Sequence, residues 1–317
     1  VSRLAKRLAG ALLLSTALVP SMASADRSFI VPSSTILAGN SNTVTFDAAG
    51  ADHLFFFDHR PIAPETIIVS KPDGSPADPV TPVRTRFRTV LDVRLDQQGT
   101  WKVASRQVMV SGTLRLNGEE RRVGGRGGPP PGGAAMPAGA PAQGPRASAG
   151  PAPGAQAGAA GPDGPGGQRR QPPIALADIP AEATDVHLTE MVNTTETFVT
   201  LGAPTETVFK PSGKGLEFAP ITHPNAIAAG ETARFRFLID GKPAAGVKVT
   251  VVQGGERYRD DVAAMDLVTG VDGAVAVKWP SAGLYWLGAE AEDKHPAEKR
   301  AEMRRMLYSA TLEVQTP

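Results

Sequence analysis

Apolar residues in this chain come in short runs, many of them alternating with polar residues and bounded by Gly, Pro, Asn or Asp. In Val247-Lys248-Val249-Thr250-Val251 the valines share one face of an extended chain, while Lys248 and Thr250 point the other way. The same pattern predicts strands at 44–46, 53–57, 66–70, 87–95 and 101–104, and again at 197–200, 233–239, 247–252, 274–279, 284–289 and 307–314. Pro72-Asp73-Gly74, Asp240-Gly241 and Asp272-Gly273 supply turns between them. Only 296–306, rich in Ala, Glu, Lys and Arg, predicts a short helix.

The two strand-rich stretches echo each other. Residues 87–95, a turn closing on Gly99 and then Thr100-Trp101-Lys102-Val103 match 274–279, a turn closing on Gly283 and then Leu284-Tyr285-Trp286-Leu287. Such a hairpin is common in two-sheet sandwiches. Between the halves the chain becomes Gly, Pro, Ala, Gln and Arg, a composition that cannot bury enough apolar area to offset its chain entropy. It lacks a strict Gly at every third position, which excludes a collagen helix. The predicted organisation is all-β: two immunoglobulin-like or transthyretin-like β-sandwich domains, at 26–122 and 175–317, joined by a disordered Gly/Pro-rich linker at 123–174.

Residues 1–25 read as a cleaved signal peptide. Arg3, Lys6 and Arg7 precede an apolar run from Leu8 to Val19, and Ala23-Ser24-Ala25 follows as a cleavage pattern. The run is too short to span a bilayer, which takes about 20 residues, so the expected location is the periplasm with no transmembrane segment in the mature chain. Charge changes with cleavage. The full sequence has 33 basic and 32 acidic residues, and loss of the three signal charges leaves 30 basic against 32 acidic. A slightly acidic protein gives no electrostatic reason to bind nucleic acid. With no cysteine, disulfides and thiolate chemistry are excluded.

Candidate chemistry is sparse. The dense constellation is Asp52-His53-Leu54-Phe55-Phe56-Phe57-Asp58-His59-Arg60-Pro61. On a strand, His53 and His59 fall on opposite faces, so these neighbours alone do not make a two-histidine site. Asp58 and His59 at the strand end could join His223 of Thr222-His223-Pro224-Asn225 if the halves meet there, and imidazole with carboxylate suits nickel, zinc, copper or iron. The competing reading has His59 and Arg60 capping a turn. Phe55 to Phe57 read as a buried strand. Lys210 to Gly215 reads as a turn, because it lacks the spacing of a phosphate loop. Signatures of serine hydrolases, zinc proteases and β-lactamases are missing. Glu256 to Asp261 offers carboxylates beside Tyr258, the one place for a hydrolase reading.

Several blocks taken together resemble a known family: SFIVPS at 28–33, FDHRP at 57–61, VFKPSGKGLE at 208–217, ITHPN at 221–225, GETARF at 230–235, DGKPAAG at 240–246 and GLYW at 283–286. They resemble the domain of unknown function 4198 family of exported bacterial proteins, often labelled as a periplasmic component of cobalt or nickel uptake systems. Asp26 stands where many members carry a histidine. The resemblance implies a periplasmic, non-enzymatic ligand-binding or accessory protein for uptake of a transition metal (nickel, cobalt, iron or copper) or its chelate. It makes His59 and His223 the matching metal candidates, beside Asp58 from the strand-end reading, with a metal ion or chelate the ligand and envelope transport proteins the partners. Two other readings stay open: an envelope adaptor that binds another protein, and a carbohydrate-active or other periplasmic hydrolase.

Overall fold

The computed structural model describes residues 27–124 and 171–317. The expected signal peptide and most of the expected linker lie outside the described residues. Nine strands precede residue 125: β1 (Arg27–Pro32), β2 (Ile36–Leu37), β3 (Asn42–Ala51), β4 (Arg60–Pro61), β5 (Ile67–Ser70), β6 (Val83–Arg84), β7 (Thr89–Leu95), β8 (Gly99–Leu116) and β9 (Glu119–Gly124). Nine follow residue 170: β10 (Thr184–Leu201), β11 (Leu216–Pro220), β12 (Thr232–Ile239), β13 (Lys242–Pro243), β14 (Lys248–Gln253), β15 (Met265–Val268), β16 (Ala274–Lys278), β17 (Gly283–Asp293) and β18 (Met303–Val314). Short 3-10 turns interrupt the loops, and no α-helix occurs among the described residues.

The strands form three sheets. A five-stranded sheet runs β1-β3-β7-β6 with β4 on β3, and a four-stranded sheet places β11, β13 and β16 around β12. The nine-stranded sheet runs β15-β14-β17-β18-β10-β8-β5, with β2 added to β10 and β9 to β8. Its middle is the junction of the halves: β8 pairs antiparallel with β10 from Leu201↔Gly99 to Thr184↔Arg115, and β10 pairs parallel with β18. All-β character follows the sequence pattern. The division into two linked sandwiches is drawn differently, because the central sheet takes strands from both sides of residues 125–170.

Side-chain alternation places the layers. Val192 and Phe198 of β10 join a core with Phe218, Phe235, Phe237, Trp279 and Tyr308, beneath the four-stranded sheet. Val199 and Leu201, of opposite parity, join Ile30, Phe46, Leu91 and Trp101 beneath the five-stranded sheet. The two smaller sheets therefore cover opposite faces of the large one. That is why β10 is buried without a break from Thr197 to Leu201. The two echoing hairpins each serve one layer: Trp101, two residues after Gly99 (φ 126°), fills the N-terminal core, and Tyr285, two after Gly283 (φ 134°), fills the C-terminal one.

Three expectations change. Residues 53–57 form a turn rather than a strand. Residues 296–302 are loop, and 303 onward belong to β18. The Glu298 N–H donates to Glu190 Oε2 (2.8 Å) and the Glu302 N–H to Leu188 O (2.9 Å), and in the second of these β10 takes a donor that a helix would use internally. The linker is also shorter than 123–174 at both ends. Val123 and Ile174 form a parallel bridge, with Gly124 N–H donating to Ile174 O (2.9 Å) and Ile174 N–H to Arg122 O (2.8 Å).

Candidate functional site

Where β3 ends at Ala51, the chain turns instead of continuing. Phe56 N–H closes on His53 O (3.2 Å), and Phe55 takes a φ of 64°, a left-handed conformation that a bulky side chain seldom adopts. Contacts from distant residues hold it there. The Phe55 and Phe57 rings pack on Phe29 at 5.3 and 5.8 Å, and Leu54 is fully buried beside Val252 and Ala49. Gly254 lies against the Phe55 ring so closely that a Cβ would sit 2.6 Å from its Cδ2. With its apolar residues turned inward, this segment leaves Asp52, His53, Asp58 and His59 exposed.

A second loop, 254–264, faces the first. Glu256 is buried: its Oε1 accepts from Leu54 N–H (2.7 Å) and its Oε2 pairs with Arg27 Nη1 (2.9 Å). The Arg27 guanidinium also lies over Trp286 at 5.6 Å. Both carboxylate oxygens of Glu256 thus tie the second loop to the N-terminal half, which leaves Asp260 and Asp261 as the exposed acids of the group singled out beside Tyr258. Arg259 braces the loop from within, donating to Gln253 O (2.8 Å), Gly254 O (3.1 Å) and Gln253 Oε1 (3.3 Å). Tyr258 stands on this scaffold 80% exposed, its ring 5.7 Å from Phe56, and the Arg257 guanidinium lies over the Phe56 ring at 5.1 Å. The sequence singles out the two segments separately, Asp52 to Pro61 and Glu256 to Asp261, but not their meeting, since Leu54 and Glu256 lie 202 positions apart.

His223 lies elsewhere, half-buried at the end of β8 and β10. It caps the 3-10 turn Pro224–Ala226, with Nδ1 accepting from Asn225 N–H (3.1 Å) and Nε2 on Thr100 Oγ1 (3.0 Å). With Nδ1 as acceptor, Nε2 carries the proton and donates. Thr100 Oγ1 also accepts from Thr205 N–H (3.0 Å) and meets Thr200 Oγ1 at 2.9 Å. Burial lowers the His223 pKa, with Glu206 opposing, so the ring is held neutral. Both ring nitrogens are therefore used in joining β8, β10 and the Thr222–Asn225 turn. Among the described residues no three His, Asp or Glu side chains gather to hold a metal, and Asp58 and His59 are not brought into one cluster with His223.

Other polar groups are used internally. Arg304, 7% exposed, bridges Asp240 (Nη2 to Oδ2, 2.7 Å) and Asp293 (Nη2 to Oδ2, 2.6 Å), and its hydrogen bonds hold the Asp240 carboxyl below the usual range. In the 210–215 loop, Gly213 N–H and Ser212 Oγ donate to Glu217 (3.0 and 2.7 Å), so an internal carboxylate occupies the donors that a bound anion would need. No helix among the described residues is long and apolar enough to cross a membrane.

No curated protein matches the chain. Among solved structures, Escherichia coli alpha-2-macroglobulin activated by porcine elastase is similar at 10% sequence identity and a TM-score of 0.19, over 92% of this chain and 31% of that one. The chain spans less than a third of that protein's length, and a likeness of this strength carries no argument. A family model described as "Domain of unknown function (DUF4198)" matches residues 23–293.

Proposed function

This chain belongs to the DUF4198 family, whose function is unknown, and from that premise we propose that it is a periplasmic, non-enzymatic binding protein that captures a transition metal, or its chelate, for uptake. The observation that supports this reading is the braced turn at 52–59, which leaves His53, Asp58 and His59 each exposed while Leu54 is anchored to buried Glu256. Imidazole and carboxylate donors suit nickel, cobalt, copper and iron. Because no three such side chains converge among the described residues, the ion arrives as a chelate, keeping ligands of its own while one or two protein donors complete its shell.

Calorimetric titration of the full chain with nickel, cobalt, copper and iron salts, and with their citrate complexes, tests this. The expected result is binding tighter than about 1 mM that weakens at least tenfold in the His53→Ala/His59→Ala double variant. No binding in that range, or binding indifferent to both substitutions, sinks the proposal.

A further inference from the structure

Three tyrosines occur in the chain, and two of them, Tyr285 and Tyr308, are buried in the C-terminal core. The third, Tyr258, is 80% exposed on a loop that is held at several points. Glu256 fixes it to Leu54 and Arg27, Arg259 pins it to two backbone carbonyls of 253–254, and Ala263 N–H closes it on Asp261 Oδ1 (2.9 Å). A tyrosine with no role at the surface needs no such scaffold. Pre-ordering a rigid aromatic in water is what a binding surface gains from, because little conformational freedom remains to be lost on contact.

The surroundings narrow the occupant. Asp260 and Asp261 share the loop with Tyr258, and Asp52 and Asp58 stand exposed on the facing turn. Four carboxylates disfavour a polyanion such as nucleic acid. A cationic peptide would seek the ring face of Phe56, where the Arg257 guanidinium already lies at 5.1 Å. An uncharged polyol fits both features. The C–H face of a pyranose can lie on the Tyr258 ring, its hydroxyls can donate to Asp260, and its ring or hydroxyl oxygens can accept from Arg257. We infer that the surface formed by Tyr258, Phe56, Arg257 and the flanking aspartates binds a neutral glycan. The inference is independent of the metal reading.

The full chain is titrated calorimetrically, in excess EDTA to remove metal, with cellohexaose, maltohexaose and chitohexaose. At least one should bind with a Kd between about 10 μM and 1 mM. Tyr258→Ala should weaken that binding at least tenfold without lowering the Tm, since the ring is largely in water, and Asp260→Asn should weaken it severalfold. Binding of none of the three, binding that Tyr258→Ala leaves unchanged, or binding of hexalysine in place of the sugars overturns the inference.

Discussion

His223 shows how one side chain can carry the marks of a ligand and still act as mortar. A histidine followed by proline in a polar turn suits metal binding on paper, but here the ring is held neutral by burial and spends both nitrogens on Asn225 and Thr100. The unfolded ring takes a proton below its ordinary pKa of about 6.5, whereas the folded ring resists until a lower pH, so acidification stabilises the unfolded state selectively. Above pH 7 this term vanishes. The stability advantage of the wild type over His223→Gln should therefore shrink as pH falls from 7 to 5, read from urea unfolding at several pH values; a constant difference contradicts a buried neutral ring. Phe55 is the opposite case. Its left-handed backbone costs on the order of 1–3 kcal/mol and is held by Phe29 and Gly254, neither of them a sequence neighbour.

At the scale of elements, the segment at 125–170 is bounded by two chain ends that are stitched together. Val123 and Ile174 bridge in parallel, with Leu114, Val123, Leu188 and Ala301 forming a small core beneath them. Parallel pairing leaves Gly124 and Gln171 offset by about four residues of strand rise, roughly 13 Å, so a short connection is long enough. Replacing residues 127–168 with about ten Gly and Ser residues should leave the Tm within about 2 °C of wild type, because loop closure depends only weakly on length; a large loss measured by scanning calorimetry would show that the segment contributes to the fold. Strands with clean alternation, such as β7, β12 and β14, were legible from the sequence because one buried face writes a period of two. Residues 53–57 and 296–306 were not. The first is apolar because it packs into a turn, and the second has helical composition but its backbone donors are captured by Glu190 and Leu188. In both, tertiary contacts outweigh local preference. Of the candidate site, the exposure of Asp58 and His59 could be read locally, but the brace from Glu256 could not, since its partner Leu54 is 202 positions away.

For the whole molecule, three stacked sheets share one central strand pair. Removing everything after residue 124 strips β8 of β10 and takes Val199 and Leu201 out of the core around Phe46 and Trp101. A fragment of residues 27–124 should accordingly show no cooperative unfolding, and the full chain should melt in a single transition by calorimetry; two well-separated transitions, or a folded fragment, would restore two independent sandwiches. The position of β18 adds a consequence in time. This strand, ending at Val314, lies between β17 and β10 in the central sheet, so the sheet cannot close until residue 314 has been made. Pairings of such long sequence separation form slowly. A nascent chain must then stay uncommitted at its centre until β18 arrives, a threadable polymer up to that point, as suits a chain expected to carry a signal peptide.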